Sequence, residues 1–410
     1  MEKLAIYGGK PVRTQPFPAR RPYGKEEIKE VISAVKSQNL FRYGGTKVEK
    51  LENEFAKKYG VKYAIASTSG SAAIHIAIGG INPDPGDEII TAPITDLGTI
   101  IGILYQNAIP VFADINPETY NIDPADVERK ITEKTKAIIA VHLFGNPCDM
   151  DGIMKIASKY KIPVIEDCCQ AYFTHYKGKL CGTIGDIGCF SMQQSKHLTA
   201  GDGGITITNN KKLAERMKLF SDKGWNRGKW GPRTYLFLAP NYRMNELTGA
   251  VALAQIKKVE KVVKKRMYLG NYLTEKIKGI PGILPAAITP GGEHSYWFYP
   301  LRIIRYNPEL FCKALYAEGI SCWHGYIGRP IFLCARTLYM KKTYGKSHCP
   351  FDCPKYGKNI EYKRGICPIT EKMLPKLVVI GINENYSKND IDDIAKAITK
   401  VANGLKRKNE

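Results

Sequence analysis

The chain has 410 residues, of which 61 are Lys or Arg and 39 are Asp or Glu, giving a formal charge of +22. With 44% hydrophobic and 24% charged residues it reads as a globular chain of about two or three domains, which excludes disordered and fibrous architectures. No run approaches the ~20 apolar residues of a membrane span, and the opening MEKLAIYGGK has no apolar signal core, so a cytoplasmic protein with no membrane partner is expected.

From about residue 60 to 210, short β-rich runs alternate with helical stretches, the pattern of a mainly parallel sheet covered by helices. Strands are expected over residues 63–66, 88–92, 109–113, 137–143, 164–166, 187–191 and 204–208, with helices over 71–78 and 150–160 between them. A helical region over 244–277 follows. In its densest basic segment, Lys257, Lys258, Lys261, Lys264 and Lys265 fall on one stripe, while Ile256, Val259, Val263 and Met267 fall on another. That arrangement favours a solvated helix face over a nucleic-acid patch, so no nucleic-acid partner is expected despite the charge. The Pro- and Gly-rich GIPGILPAAITPGGE then separates a second unit, with strands over 297–304 and 377–380 and a closing helix over 388–402. The expected division is a large domain over 1–262, including an N-terminal arm, and a smaller C-terminal α+β domain over 263–410.

Ligands of such sheets sit outside the carboxyl ends of the strands. Three segments at those ends carry chemistry. The run from Ser67 to Ser71 follows a strand and opens a helix, where free N–H groups, hydroxyls and the helix dipole suit a phosphate; alone, Ser and Thr there are more often simple caps. In VIEDCCQA, Asp167 closes an apolar strand with Gln170 three residues on, and a carboxylate there can hold a protonated ring nitrogen or cap the next turn. In CFSMQQSKHLTAGDGG, Ser191 ends a strand and Lys196 follows in a polar loop; a desolvated lysine can form a Schiff base, although a lone lysine in this lysine-rich chain reads as surface. A phosphate cup, a carboxylate for a pyridine nitrogen and a lysine for an aldehyde are together the contacts that pyridoxal phosphate requires.

On these residues, and on FRYGGTKVEKLENEFAKKYG, IPVFADINPETYNIDP and NYRMNELTGAVALAQIKK, the chain resembles the DegT/DnrJ/StrS family of sugar aminotransferases over nearly its whole length. The resemblance implies the type I pyridoxal phosphate fold, a large domain with a mainly parallel seven-stranded sheet plus a smaller domain. It implies pyridoxal 5'-phosphate as cofactor, Lys196 as the Schiff-base lysine, Asp167 as partner of the pyridine nitrogen and Gln170 beside the ring. Ser69, Gly70, Ser71 and Ser191 take the phosphate positions. Asn241, in APNYRMNE, takes that of an asparagine reaching the phosphate of the neighbouring subunit, which implies a homodimer with shared active sites. Relatives carry an aromatic residue or His after the second strand to stack on the ring; this chain reads PITDLGT, with Asp96 near that point as a substrate or cofactor contact. The implied activity is ping-pong transfer of an amino group from glutamate or glutamine to a keto sugar or keto cyclitol. SMQQSK and HCPFDCPKYG most resemble the branch holding cyclitol aminotransferases and aminohydroxybenzoate synthases, which leaves an aromatising dehydratase, or a cofactor-binding regulator, as alternatives.

Other signals are weaker. Eleven cysteines, an odd number with Cys168 and Cys169 adjacent, read as reduced thiols. His348, Cys349, Cys353 and Cys367 could ligate zinc, but their spacing is no standard finger, and a loop of thiols is the commoner outcome. Trp225, Trp230 and Tyr235 lie in a loop that either covers the pocket or packs between subunits, and His142 and His175 are either pocket or core histidines.

Overall fold

The β-branched runs pair as their alternation with helices requires. The computed structural model describes residues 2–228 and 231–405. In chain order its first nine strands are β1 (Tyr63–Ser67), β2 (Glu88–Thr91), β3 (Ile109–Phe112), β4 (Thr135–Val141), β5 (Val164–Asp167), β6 (His175–Tyr176), β7 (Lys179–Leu180), β8 (Ile187–Ser191) and β9 (Gly204–Thr208). Seven of them form one sheet in the order β1-β9-β8-β5-β4-β2-β3. Every neighbour pair is parallel except those made by β9, which runs against both β8 and β1. Strands β2, β3, β5, β8 and β9 are buried at every residue, so the sheet is covered on both faces.

Nine helices accompany it: α1 (Lys25–Lys36), α2 (Lys47–Tyr59), α3 (Gly70–Ile81), α4 (Gly98–Tyr105), α5 (Pro124–Lys130), α6 (Met150–Tyr160), α7 (Lys211–Phe220), α8 (Glu246–Gln255) and α9 (Val259–Ile277). The helical region expected over 244–277 is thus two helices. Its apolar stripe is buried at Ile256, Val259 and Val263, while Lys257, Lys261 and Lys264 are exposed.

The rest of the chain supplies β10 (Ile283–Leu284), β11 (Gly292–Glu293), β12 (Tyr299–Ile303), β13 (Cys322–His324) and β14 (Leu377–Ile380). These give a four-stranded antiparallel sheet, β10-β12-β14-β13, and β11 joins β6 and β7 in a small third sheet. The closing helix Lys388–Gly404 covers the four-stranded sheet, and its buried Ile391, Ile394, Ile398 and Val401 share a core with Leu269 and Leu273 of α9. Apolar packing crosses the sequence order: Phe332, Leu338, Phe351, Tyr362 and Cys367 enter the core of the seven-stranded sheet. Among the described residues no helix is long and apolar enough to cross a membrane.

Candidate active site

One cavity of about 320 Å³ opens at the carboxyl ends of β1, β2, β5 and β8. Ser69, Gly70, Ser71, Asp96, Asp167, Gln170, Ser191 and Lys196 all line it.

Its floor is the β1–α3 junction. Ser69 caps α3, its Oγ accepting from Ala72 N at 3.1 Å, and Ser69 O accepts from Ala73 N at 3.0 Å. The N–H groups of Gly70 and Ser71 in the same first turn have no partner among the described residues, so an anion can take them. Gly70 is required sterically: a Cβ there would lie 2.6 Å from Ser191 Cβ, at the end of β8.

Asp167 stands at the end of β5, buried. Its Oδ2 accepts from Thr99 Oγ1 at 2.8 Å and its Oδ1 from Cys169 N at 3.1 Å, which fixes the carboxylate towards the cavity. Gln170 spans the wall, Oε1 accepting from Phe144 N at 2.7 Å and Nε2 donating to Tyr326 Oη at 3.3 Å. Asp96 reaches the rim, where its Oδ1 accepts from Gly98 N at 2.8 Å and starts α4.

Lys196 lies on the irregular loop between β8 and β9. Its Nζ sits 3.5 Å from the centroid of the Trp297 ring. Burial pushes its ammonium below the usual lysine value, against the opposing pull of Cys169, Asp167 and Asp96. A larger share of free amine at neutral pH is what a lysine nucleophile or base needs.

The remaining residues of interest lie outside this cavity. Asn241 is exposed and lies outside this cavity, on the segment that bridges to Asp222. His142 is a core histidine: Cys148 N donates to its Nδ1 at 3.0 Å, so its Nε2 carries the proton and donates to Glu166 at 3.0 Å. Glu166 also accepts from the backbone N–H groups of Gly182, Ile184 and Gly185. With Nε2 protonated and Glu166 satisfied, the nearby His142, Glu166 and Cys168 hold the fold together and offer no open metal site. His175 faces Glu293 at 3.2 Å, away from the cavity. Among the described residues, His348, Cys349, Cys353 and Cys367 do not converge as ligands; the Cys367 thiol points to Phe112 O in the core. Trp225 and Tyr235 pair with each other away from the cavity, and Trp230 lies outside the described residues.

Sequence reasoning missed Thr99, Trp297 and Tyr326. Thr99 has a local signal, a hydroxyl one turn from Asp96 within PITDLGT; Trp297 and Tyr326 have none, because they come from segments more than a hundred residues away.

The model of the DegT/DnrJ/EryC1/StrS aminotransferase family matches residues 22–399. The chain belongs to this family. It is 30% identical over 419 aligned residues to the L-glutamine:2-deoxy-scyllo-inosose aminotransferase of Streptoalloteichus tenebrarius, covering 97% of each chain. It is 35% identical over 294 residues to the GDP-perosamine synthase of Caulobacter vibrioides, covering 70% of this chain and 76% of that one. The solved 3-amino-5-hydroxybenzoic acid synthase shares the fold at a TM-score of 0.83 and 24% identity, covering 96% of this chain and all of that one.

Family members depend on pyridoxal phosphate, and this enzyme is an aminotransferase of that kind. The cavity fits the cofactor: the free N–H groups of α3 with Ser69 and Ser191 suit a phosphate, Asp167 offers a buried acceptor, and a desolvated amine lines the same space.

Proposed function

We propose that this aminotransferase carries an amino group from glutamate or glutamine to the keto group of a sugar, nucleotide-linked in the first instance, or of a cyclitol, in a ping-pong cycle. One observation carries the residue assignment: Lys196, Asp167 and the N-terminus of α3 line one cavity although they come from three separate strand ends. Bound pyridoxal phosphate supplies an aldehyde for an amine to capture and a ring that takes up the electrons of a carbanion. The side chains do the rest. Gly70, Ser71, Ser69 and Ser191 bind the phosphate and set the register. Asp167 Oδ holds a proton on the ring nitrogen, and Gln170, tied to Tyr326, supports one side of the ring. Lys196 Nζ would hold the resting cofactor and, once freed by the amino donor, would take up on Nζ the proton leaving the donor's α-carbon. Asp96 faces the acceptor from the rim.

We also propose a homodimer with shared sites. Asn241 is exposed beside an apolar run in which Leu238 is 97% exposed and Tyr235 and Leu236 about half exposed, a surface that a second copy would cover. In that assembly Asn241 reaches the partner's phosphate site. Residues 1–262 would then carry the cofactor and 263–410 the smaller unit, with the 332–367 stretch returning to the first.

The test is spectroscopic. Glutamate or glutamine should bleach the visible band of the holoenzyme, and members of a panel of keto sugars and keto cyclitols should restore it, with label from [15N]-donor in the product. An acceptor product without the label would overturn transamination to that acceptor. Borohydride should fix the cofactor to Lys196, and a Lys196→Ala variant that still forms the fixed adduct would overturn its role. The same variant should lose turnover by a factor on the order of 10³–10⁴.

A further inference from the structure

The loop that carries Lys196 is neither helix nor strand, so its carbonyls need donors from elsewhere. Three of them are met by side chains remote in sequence. Arg20 Nη1 donates to Gln194 O at 2.9 Å, Arg20 Nη2 to His197 O at 2.8 Å, and Trp297 Nε1 to Ser195 O at 3.0 Å. The carbonyls on both sides of Lys196 are thus held, and the ring of the same Trp297 lies under its Nζ.

The arginine is itself held. Its Nε donates to Glu384 Oε1 at 2.7 Å, and Arg266 of α9 donates to Glu384 Oε2 through Nε at 3.0 Å and Nη2 at 2.8 Å. Arg266 also reaches Trp297 O at 3.3 Å, which closes the circuit. All three charged groups are largely buried. Next to them, Asn383 and Asn385 donate to Pro18 O and Ala19 O, and Tyr23 Oη donates to Gln194 Oε1. The N-terminal arm is therefore pinned by the loop after β14 while it grips the lysine loop.

We propose that Arg20, oriented by Glu384 and Arg266, is a positioning residue for Lys196, and that the N-terminal arm and the C-terminal unit together set the reach and basicity of that amine. This inference rests on the assignment of Lys196 as the cofactor lysine. A guanidinium suits the task because its planar fork meets two carbonyls and a carboxylate at once, whereas a lysine ammonium offers no such fixed geometry. A long lysine stem has considerable rotamer freedom, and a loop held on both flanks removes the backbone share of that disorder.

The experiment compares Arg20→Ala and Arg20→Lys with Arg13→Ala. Arg13 lies on the same arm but pairs with Asp390 and Asp393 of the closing helix, without touching the loop. In the cofactor-free protein, amide hydrogen exchange over 194–198 should speed up by about tenfold in Arg20→Ala and stay near wild type in Arg13→Ala. On reconstitution with pyridoxal phosphate, Arg20→Ala and Arg20→Lys should both slow cofactor capture, and the loaded variants should shift the pH at which the visible band titrates; Trp297→Phe, which keeps a ring but loses the indole N–H, should shift it in part. Exchange and titration unchanged in a folded Arg20→Ala protein would overturn the proposal, as would equal changes in Arg13→Ala, which would signify general loosening of the arm. Borohydride fixation on a residue other than Lys196 would instead overturn the lysine assignment, and the exchange result would then report only on the loop.

Discussion

At the scale of single residues the site is a set of close tolerances. A methyl at Gly70 would enter the space of Ser191 Cβ, 2.6 Å away, so Gly70→Ala must part the α3 turn from β8 or tilt Ser191 out of the phosphate position. The expected outcome is a folded protein whose cofactor affinity falls by about tenfold or more, measured by titrating the cofactor-free form with pyridoxal phosphate. Asp167→Asn keeps the acceptor for Thr99 but loses the negative charge; turnover should fall by about a hundredfold or more while cofactor occupancy stays high. These positions were legible in the sequence because each stands at a strand end within a few residues of a turn. Trp297 was not, since an aromatic residue in an apolar run reads as core, and only folding puts its ring beneath Lys196. His142 shows another limit: its sequence position left pocket and core both open, and only the fold shows Cys148 N and Glu166 claiming both ring nitrogens.

Among elements, the β1–α3 junction joins fold to function. Ser69 caps the helix whose first N–H groups are proposed to hold the phosphate, so Ser69→Ala should cost about 1 kcal/mol of stability and, on that proposal, also weaken cofactor binding. Chemical denaturation with and without cofactor separates the two effects. The seven strands were predictable from their β-branched runs, and their ends shifted by no more than a residue or two. Helix α4 was hidden, because Gly98–Tyr105 is apolar on every side and has no helical period to read. Its burial against α3 decides its state: a Cβ on Gly102 would sit 2.9 Å from His75 Cα, so the two helices meet at a glycine. Burial there also pushes the His75 imidazole down to about 4, leaving it neutral at physiological pH.

For the whole molecule, the Arg20–Glu384–Arg266 network ties both ends of the chain to the centre. Burial alone would raise the Glu384 carboxyl, but Arg266 and Arg20 outweigh it and leave it below its ordinary value of 4.5. A carboxyl lowered in this way stabilises the fold above the ordinary value, and the benefit disappears as the pH falls through the lower native one. Thermal unfolding followed from about pH 6 to about pH 3 should therefore show a steeper loss in the wild type than in Glu384→Gln, which starts less stable. The charge of +22 has a different reach. Much of it sits on exposed helix faces such as that of α9, where it can draw an anionic substrate from a distance, so kcat/KM for a nucleotide-linked acceptor should fall with added salt more than for a neutral cyclitol.

What the sequence determined by itself was local: strand and helix character from periodicity, and the positions of the Ser-Gly turn, carboxylate and lysine of the proposed site, because each stands at or just after a strand end. Tertiary structure alone decided how these pieces meet and what surrounds them. Thr99 holds Asp167, Tyr326 holds Gln170, and Arg20 and Trp297 hold the lysine loop, through hydrogen bonds between segments far apart in the chain. Such contacts leave no period or spacing behind, because burial and hydrogen-bond satisfaction are settled only when distant elements close the same cavity.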